Sequence, residues 1–329
     1  MRIYPLLRSG ATVAALLLSS IPLYAANSGV NVESVALRPG VIVDAGKGRL
    51  FLMRPDNAVE AVNIASGETI WTAKSAAKPL ALKNAMLVCQ ADPTSNRLSL
   101  VVLDVESAGK AVMTSTIELP PGVVPRIDNS MAQSFSTHAA AIDGDFYVSW
   151  QFQVVPMSGV SPPEEGTVTP QKMRGLQRTS GTVKMNARTG MLTSLAPGDV
   201  PRMVQDSQPR LMTGPPGAPP DPTRRISADG RHTLKSALVG DDRTWEKYRW
   251  SIVDNQTGKE IGEIRSFRSQ SAFVVVGSLI IYETGAYLRR IDNEMHDEPL
   301  KIRSVDLESG KQVWNRPLRD TVYRGPLPP

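Results

Sequence analysis

The chain has one cysteine, Cys89, and three histidines, His138, His232 and His296. A single Cys excludes an internal disulfide, and no Cys lies near the N-terminus for lipid attachment. In an oxidising compartment a lone thiol is tolerated best when buried, and the apolar context MLVCQ predicts burial of Cys89. Three scattered His leave little for acid–base or nucleophilic chemistry. No G-x-S-x-G stretch is present, and Ser136 near His138 is a sequence neighbour only. GKG at 46–48 and SGK at 309–311 lack the flanking pattern of a phosphate loop and read as turn glycines. The densest set of metal-ligand types is IDNEMHDEP, 291–299, with Asp292, Glu294, His296, Asp297 and Glu298. It lacks the Gly-containing spacing of a calcium loop and reads as a solvated connection. No catalytic residue, metal or cofactor is assigned.

No apolar run is long enough for a good membrane span. ATVAALLLSSIPLYA, Ala11 to Ala25, is instead a short apolar core behind Arg2 and Arg8, with small residues ahead of Asn27. That is the layout of a secretory signal peptide over 1–26, the alternative being an uncleaved inner-membrane anchor. The expected setting is periplasmic or secreted, with a mature domain over 27–329 and no stable membrane span after cleavage. The net charge of +5 includes two leader arginines and no leader acids, so +3 remains, and the basic residues are scattered. Nucleic acid is not an expected partner.

Helical periodicity is also scarce, whereas turn residues are plentiful: 26 Pro and 25 Gly punctuate the chain. What recurs is a corner. AVNIASGETIW (61–71), NARTGML (186–192), DNQTGKEI (254–261) and SVDLESGKQVW (304–314) share an Asp or Asn four residues before Gly. The pairs are Asn63–Gly67, Asn186–Gly190, Asp254–Gly258 and Asp306–Gly310, and two corners carry a Trp four residues further on, Trp71 and Trp314. A fifth, DVESAGKAV (104–112), has one residue inserted before Gly109. A short Asp/Asn side chain starts the turn by accepting local backbone N–H bonds, and Gly takes the left-handed conformation. Upstream of each corner stands another turn beside an alternating or continuous apolar run, such as RLFLM, AIDGDFYVSWQF or FVVVGSLIIYETG. Each unit reads as strand, turn, strand, variable connection, strand, corner, strand. The expected fold is all-β: a β-propeller of four-stranded antiparallel blades, five units visible and five to seven blades in all, a degenerate one having room at 113–137. Long loops are expected at 153–181 and 195–223.

VDLESGKQVW and VNIASGETIW, with their preceding turn-and-strand segments, resemble the PQQ-like (quinoprotein-type) β-propeller repeat family over residues 34–320. The resemblance implies that Trp71 and Trp314 pack between neighbouring blades, while Ser194 and Gly262 stand at that position in two other units. Quinoprotein dehydrogenases of the family carry a Ca²⁺ site beside the quinone and commonly a vicinal disulfide, which one Cys forbids. The resemblance therefore implies the family's non-enzymatic, partner-binding branch.

The expected function is an exported protein-binding scaffold whose partner is another envelope protein, with a role in envelope assembly; the alternative is a small-ligand receptor or enzyme with its site at the axial mouth. GDDRTWEKYRW, 240–250, supplies the candidate partner contacts Arg243, Trp245 and Tyr248, residue types favoured at binding hot spots. Tyr248 and Trp250 also read as the start of a strand. On this reading the protein melts at the same temperature with chelator, with Ca²⁺ or with PQQ. A large ligand-dependent rise in melting temperature overturns it.

Overall fold

The computed structural model describes residues 34–93, 96–130, 133–154, 178–207, 223–241 and 243–321; the expected leader and most of both expected long loops lie outside them. Five antiparallel meanders follow one another. Blade one contains β1 (Val35–Arg38), β2 (Val41–Asp44), β3 (Arg49–Met53), β4 (Val59–Asn63) and β5 (Thr69–Ala73). Blade two contains β6 (Lys78–Lys83), β7 (Met86–Gln90), β8 (Arg97–Asp104) and β9 (Lys110–Glu118). Blade three contains β10 (Gln133–Ile142), β11 (Asp145–Val154), β12 (Arg178–Asn186) and β13 (Leu192–Leu195). A short helix, α1 (Arg202–Ser207), precedes blade four: β14 (Arg224–Ile226), β15 (His232–Leu238), β16 (Tyr248–Asp254) and β17 (Glu260–Ser266). Blade five opens with β18 (Phe273–Val276) and β19 (Leu279–Glu283). A separate hairpin, β20 (Tyr287–Ile291) and β21 (Glu294–Glu298), intervenes before β22 (Lys301–Asp306) and β23 (Gln312–Pro317).

Alternate residues of one strand feed different cores, because side chains on a strand point to opposite faces. In β3, Leu50 and Leu52 join Ile281 and Ile302 of blade five, whereas Phe51 joins Leu87 and Val101 of blade two. In β7, Leu87 and Cys89 face blade one and Val88 faces blade three. In β19, Ile281 faces blade one while Ile280 and Tyr282 meet Trp250 and Ile252 of blade four. The packing order is therefore four, five, one, two, three. Blade three sends Phe146, Val148, Trp150 and Phe152 to one side only, and blade four does the same with Trp250 and Ile252. Among the described residues no apolar cluster joins blades three and four. The blades are those of a β-propeller, and the described sheets do not close into a ring.

The corners form as their chemistry requires. The Asn63 side-chain oxygen accepts from the N–H groups of Ala65 (2.8 Å) and Ser66 (3.0 Å), and Gly67 N–H donates to Asn63 O (2.8 Å). Asn186, Asp254 and Asp306 repeat this, and hydrogen bonding holds the Asp254 and Asp306 carboxyls below the ordinary carboxylate range. In the degenerate corner the inserted Ala108 adopts φ 54° beside Gly109 at 71°. At four of the five corners the residue four positions beyond then meets the next blade, the exception being exposed Ser194 of blade three. Trp71 lies on Gly109, Met113 on Gly190 and Trp314 on Gly67, so closely that a methyl group on any of these glycines would collide. Trp314 Nε1–H also donates to Ile64 O at 2.7 Å. Gly262, replacing Trp, lets β17 approach Leu307 directly, and nothing lies within 4 Å of a Cβ at Gly258.

The strand-like run VESVALRPGVIVD (32–44) precedes the first full unit. Because a propeller must join its first and last blades, residues near 34–45 are expected to pair with or pack against the C-terminal blade and complete it. They pack, through Leu37, Val41 and Val43 against Ile302 and Trp314, and Arg38 reaches Glu283 at 2.7 Å. They do not complete it: β1 folds back on β2 at Gly40 and β2 pairs with β3, while blade five supplies four strands of its own. No further blade occupies 113–137, where β9, a connection and β10 run; that connection is tied to the C-terminal tail by Arg319–Asp128 (2.6 Å). The expected loop at 153–181 is shorter, since Gln153 pairs with Arg178 and Phe152 with Thr179, extending a hairpin whose backbone bonds need no apolar side chains. The loop at 195–223 likewise begins with ordered chain, α1 included, and buries Val204.

The corner geometry separates two glycines of like conformation. Gly258→Ala is expected to cost about 1 kcal/mol from left-handed strain alone. Gly67→Ala adds displacement of Trp314 and should cost about 2–4 kcal/mol. Urea titrations of the two variants give the comparison; equal losses would show that the Trp–Gly contact holds nothing together.

Candidate functional site

Two places gather polar and aromatic groups beyond what the blades need. The first is built by connections of blades four and five. The 239–247 connection closes on itself, with Val239 N–H donating to Lys247 O (2.8 Å) and the Asp241 carboxylate accepting from Arg243 N–H (2.8 Å). Trp245 then lies between rings, with centroids 5.0 Å from Phe267, 5.7 Å from Tyr287 and 5.5 Å from His296. Tyr287 and His296 belong to the β20–β21 hairpin, and Arg289 adds a bond to Thr244 O at 3.4 Å. A two-stranded hairpin is marginal by itself; the Trp245 stack holds this one in place. Cross-strand register puts Leu288, Asp297, Arg290 and Met295 on the opposite face. There Leu288 is 45% and Met295 55% exposed.

Of the candidate contacts, Trp245 organises this cluster and Arg243 is exposed on the turn. Tyr248 begins β16 and packs partly on the core of blades four and five. The 291–299 segment divides: Asp292 and Asn293 make the hairpin turn, His296 stacks, and Glu298 pairs with Arg303 at 2.6 Å. Phe267, Tyr287, Leu288 and Met295 were not singled out from sequence; YLRRI (287–291) places its apolar and basic residues in adjacent pairs and shows no alternation that would mark a strand.

The second place lies where β1, β6 and β10, from blades one, two and three, come together. A pocket of about 220 Å³ is lined there by Arg38, Pro79, Thr137 and His138 with neighbouring apolar groups. Buried Lys78 donates from Nζ to Thr137 O (3.2 Å) and Oγ1 (3.1 Å), and Thr137 Oγ1 donates to Gln90 Oε1 (2.6 Å). Arg38 meets Glu283, and its Nε is buried without a hydrogen-bond partner among the described residues. Burial, reinforced by the Arg38 charge, lowers the Lys78 pKa to about 8, and burial with the Lys78 charge lowers that of His138 to about 4. His138 is therefore neutral at pH 7. These groups can hold an anion. A calcium–quinone centre finds no ligand set, since no three His, Cys, Asp or Glu side chains among the described residues gather around one point. A polar cleft of about 400 Å³ between blades four and five, with Glu263, Arg265 and Arg303, mixes both charge signs.

Because Lys78 loses its proton earlier in the folded chain than its ordinary 10.5, the unfolded chain binds more protons between pH 8 and 10.5. Stability should rise with pH across that window, by at most about 3 kcal/mol from this group. Lys78→Met is expected to be more stable at pH 7 and to lose the rise. Denaturant titrations from pH 7 to 10.5 measure both, and an unchanged slope in the variant would contradict the burial of a charged Lys78.

No family model matches the chain, and no curated protein does. Solved structures resemble it distantly. A quinohemoprotein alcohol dehydrogenase, ADHIIG from Pseudomonas putida HK5, is 11% identical over 82% of this chain and 40% of its own, with TM-score 0.26. The β-propeller domain of Cps50 (Swd1) from Myceliophthora thermophila is 10% identical over 87% and 86%, with TM-score 0.27. Hsv2 from Kluyveromyces marxianus is 9% identical over 79% and 60%, with TM-score 0.21. The chain spans less than half the length of the dehydrogenase. At such scores the fold rests on this chain's own sheets and joints, and no activity is inherited from these neighbours.

Proposed function

We propose that this chain is a non-enzymatic scaffold that binds another protein through the outward face of the β20–β21 hairpin. The observation that carries the reading is the hairpin itself. It adds nothing to the five blade sheets, yet Trp245, Tyr287 and His296 hold it out with Leu288 and Met295 exposed. Rigidly presented apolar side chains flanked by charge, here Arg290 and Asp297, make the core and rim of a protein interface. The leader-like segment at 1–26 supports an exported, periplasmic or secreted, setting, so the partner we propose is another envelope protein, met during envelope assembly. Propellers suit this work because blades fix the loops that carry recognition.

A photo-crosslinking residue at position 288 or 295 in native extract should give one discrete adduct with a second protein. A probe at Met191, exposed on a corner of blade three, should not. Met295→Asp should weaken the isolated complex at least about tenfold, and Trp245→Ala should do likewise by loosening the hairpin. Adducts of equal yield at 191, or none at 288 and 295, would overturn the reading.

A further inference from the structure

Buried cations are normally matched by carboxylates, because an uncompensated charge away from water costs several kcal/mol. The pocket at β1, β6 and β10 breaks that rule. Glu283 is the carboxylate that meets Arg38, and Arg225 of blade four also feels it. Among the described residues Lys78 has only the carbonyl and hydroxyl of Thr137 as hydrogen-bond partners, both neutral, and the charge acting on it is another cation. An ammonium has three donors, so one remains for a further acceptor. The Thr137 hydroxyl is fixed between Lys78 and Gln90, which sets the direction of the Lys78 head group. Arg38 adds a buried Nε–H that no group among the described residues accepts. Exposed Ala36 and Pro39 line the same pocket, so it is open to solvent.

A structural role does not account for Lys78. A hydrophobe of similar length would fill its position at lower cost, as replacement of buried charges commonly shows. We propose that the pocket binds a small oxyanion, a carboxylate or phosphate group, against Arg38, Thr137 and His138, drawn by the uncompensated charge of the Lys78 ammonium held behind Thr137. Its volume of about 220 Å³ lies below the roughly 300–1,000 Å³ of sites for drug-sized ligands. The occupant is therefore a small acid or a single anionic group. This site is independent of the hairpin: its residues come from blades one to three, and either can exist without the other.

The experiment is thermal unfolding of the full chain at constant ionic strength with inorganic phosphate, with malonate, and with chloride as reference. Saturable stabilisation by phosphate or by malonate over chloride is expected, and which one acts identifies the anion class. Lys78→Met, which should fold well, is expected to weaken that response at least tenfold in apparent affinity, and Arg38→Gln to weaken it too. Lys235→Ala, on the exposed side of β15, should respond as the parent does. Should Arg38→Gln fold poorly, NMR of the His138 ring in the parent gives a second reading: the anion should shift that resonance and leave those of His232 and His296 in place. Stabilisation of equal size in Lys78→Met, or none beyond chloride with an unmoved His138 resonance, would overturn the proposal.

Discussion

A four-stranded sheet has two faces, and each must be covered by something apolar before the sheet is stable in water. This constraint orders the whole molecule. Blades one, two and five meet it with neighbours on both sides, so their middle strands carry continuous buried runs, as in LFLM of β3, LVCQ of β7 and IIY of β19. Blades three and four share a cluster with one neighbour each and alternate accordingly. The corner joints are the fine adjustment of the same contact. A large residue carried four positions past one corner presses onto the glycine of the next, fixing how far two sheets can slide past each other.

Much of this was legible in the sequence for physical reasons. The corner depends on atoms within five residues, so Asn63 to Gly67 announces itself without tertiary context, and so does its copy at Asp306 to Gly310. The difference between continuous and alternating runs was equally local, although its meaning, which blades have two neighbours, emerges only when the clusters are assembled. Closure was only partly legible. A strand-like run at 34–45 and the need to join first and last blades pointed to the last blade, but whether the backbone pairs there depends on the fold-back at Gly40, which that requirement does not reveal.

The polar sites were the least legible, and the cause is separation along the chain. Arg38 and Glu283 come from opposite ends of the protein, and Lys78 meets Thr137 from another blade. A lysine in AAKPLALK looks like a surface residue at a strand end; burial by neighbouring blades alters its chemistry. Trp245 was visible as an aromatic among charges. Its ring partners were not, because Phe267 stands alone among polar residues in RSFRS and Tyr287 comes from a hairpin about 40 residues further along the chain.

The contact between the first and last blades also carries a consequence for biosynthesis. Leu50 and Leu52 emerge early, yet the side chains that cover them, Ile281 and Ile302, are made some 230 to 250 residues later. At roughly 5–20 residues per second, that interval is on the order of ten seconds or more. Throughout it, the nascent first blade has one apolar face covered by its successor and the other bare. The last blade is thus a delayed lid on the first, and the growing chain must be shielded on that side until its own C-terminal end arrives.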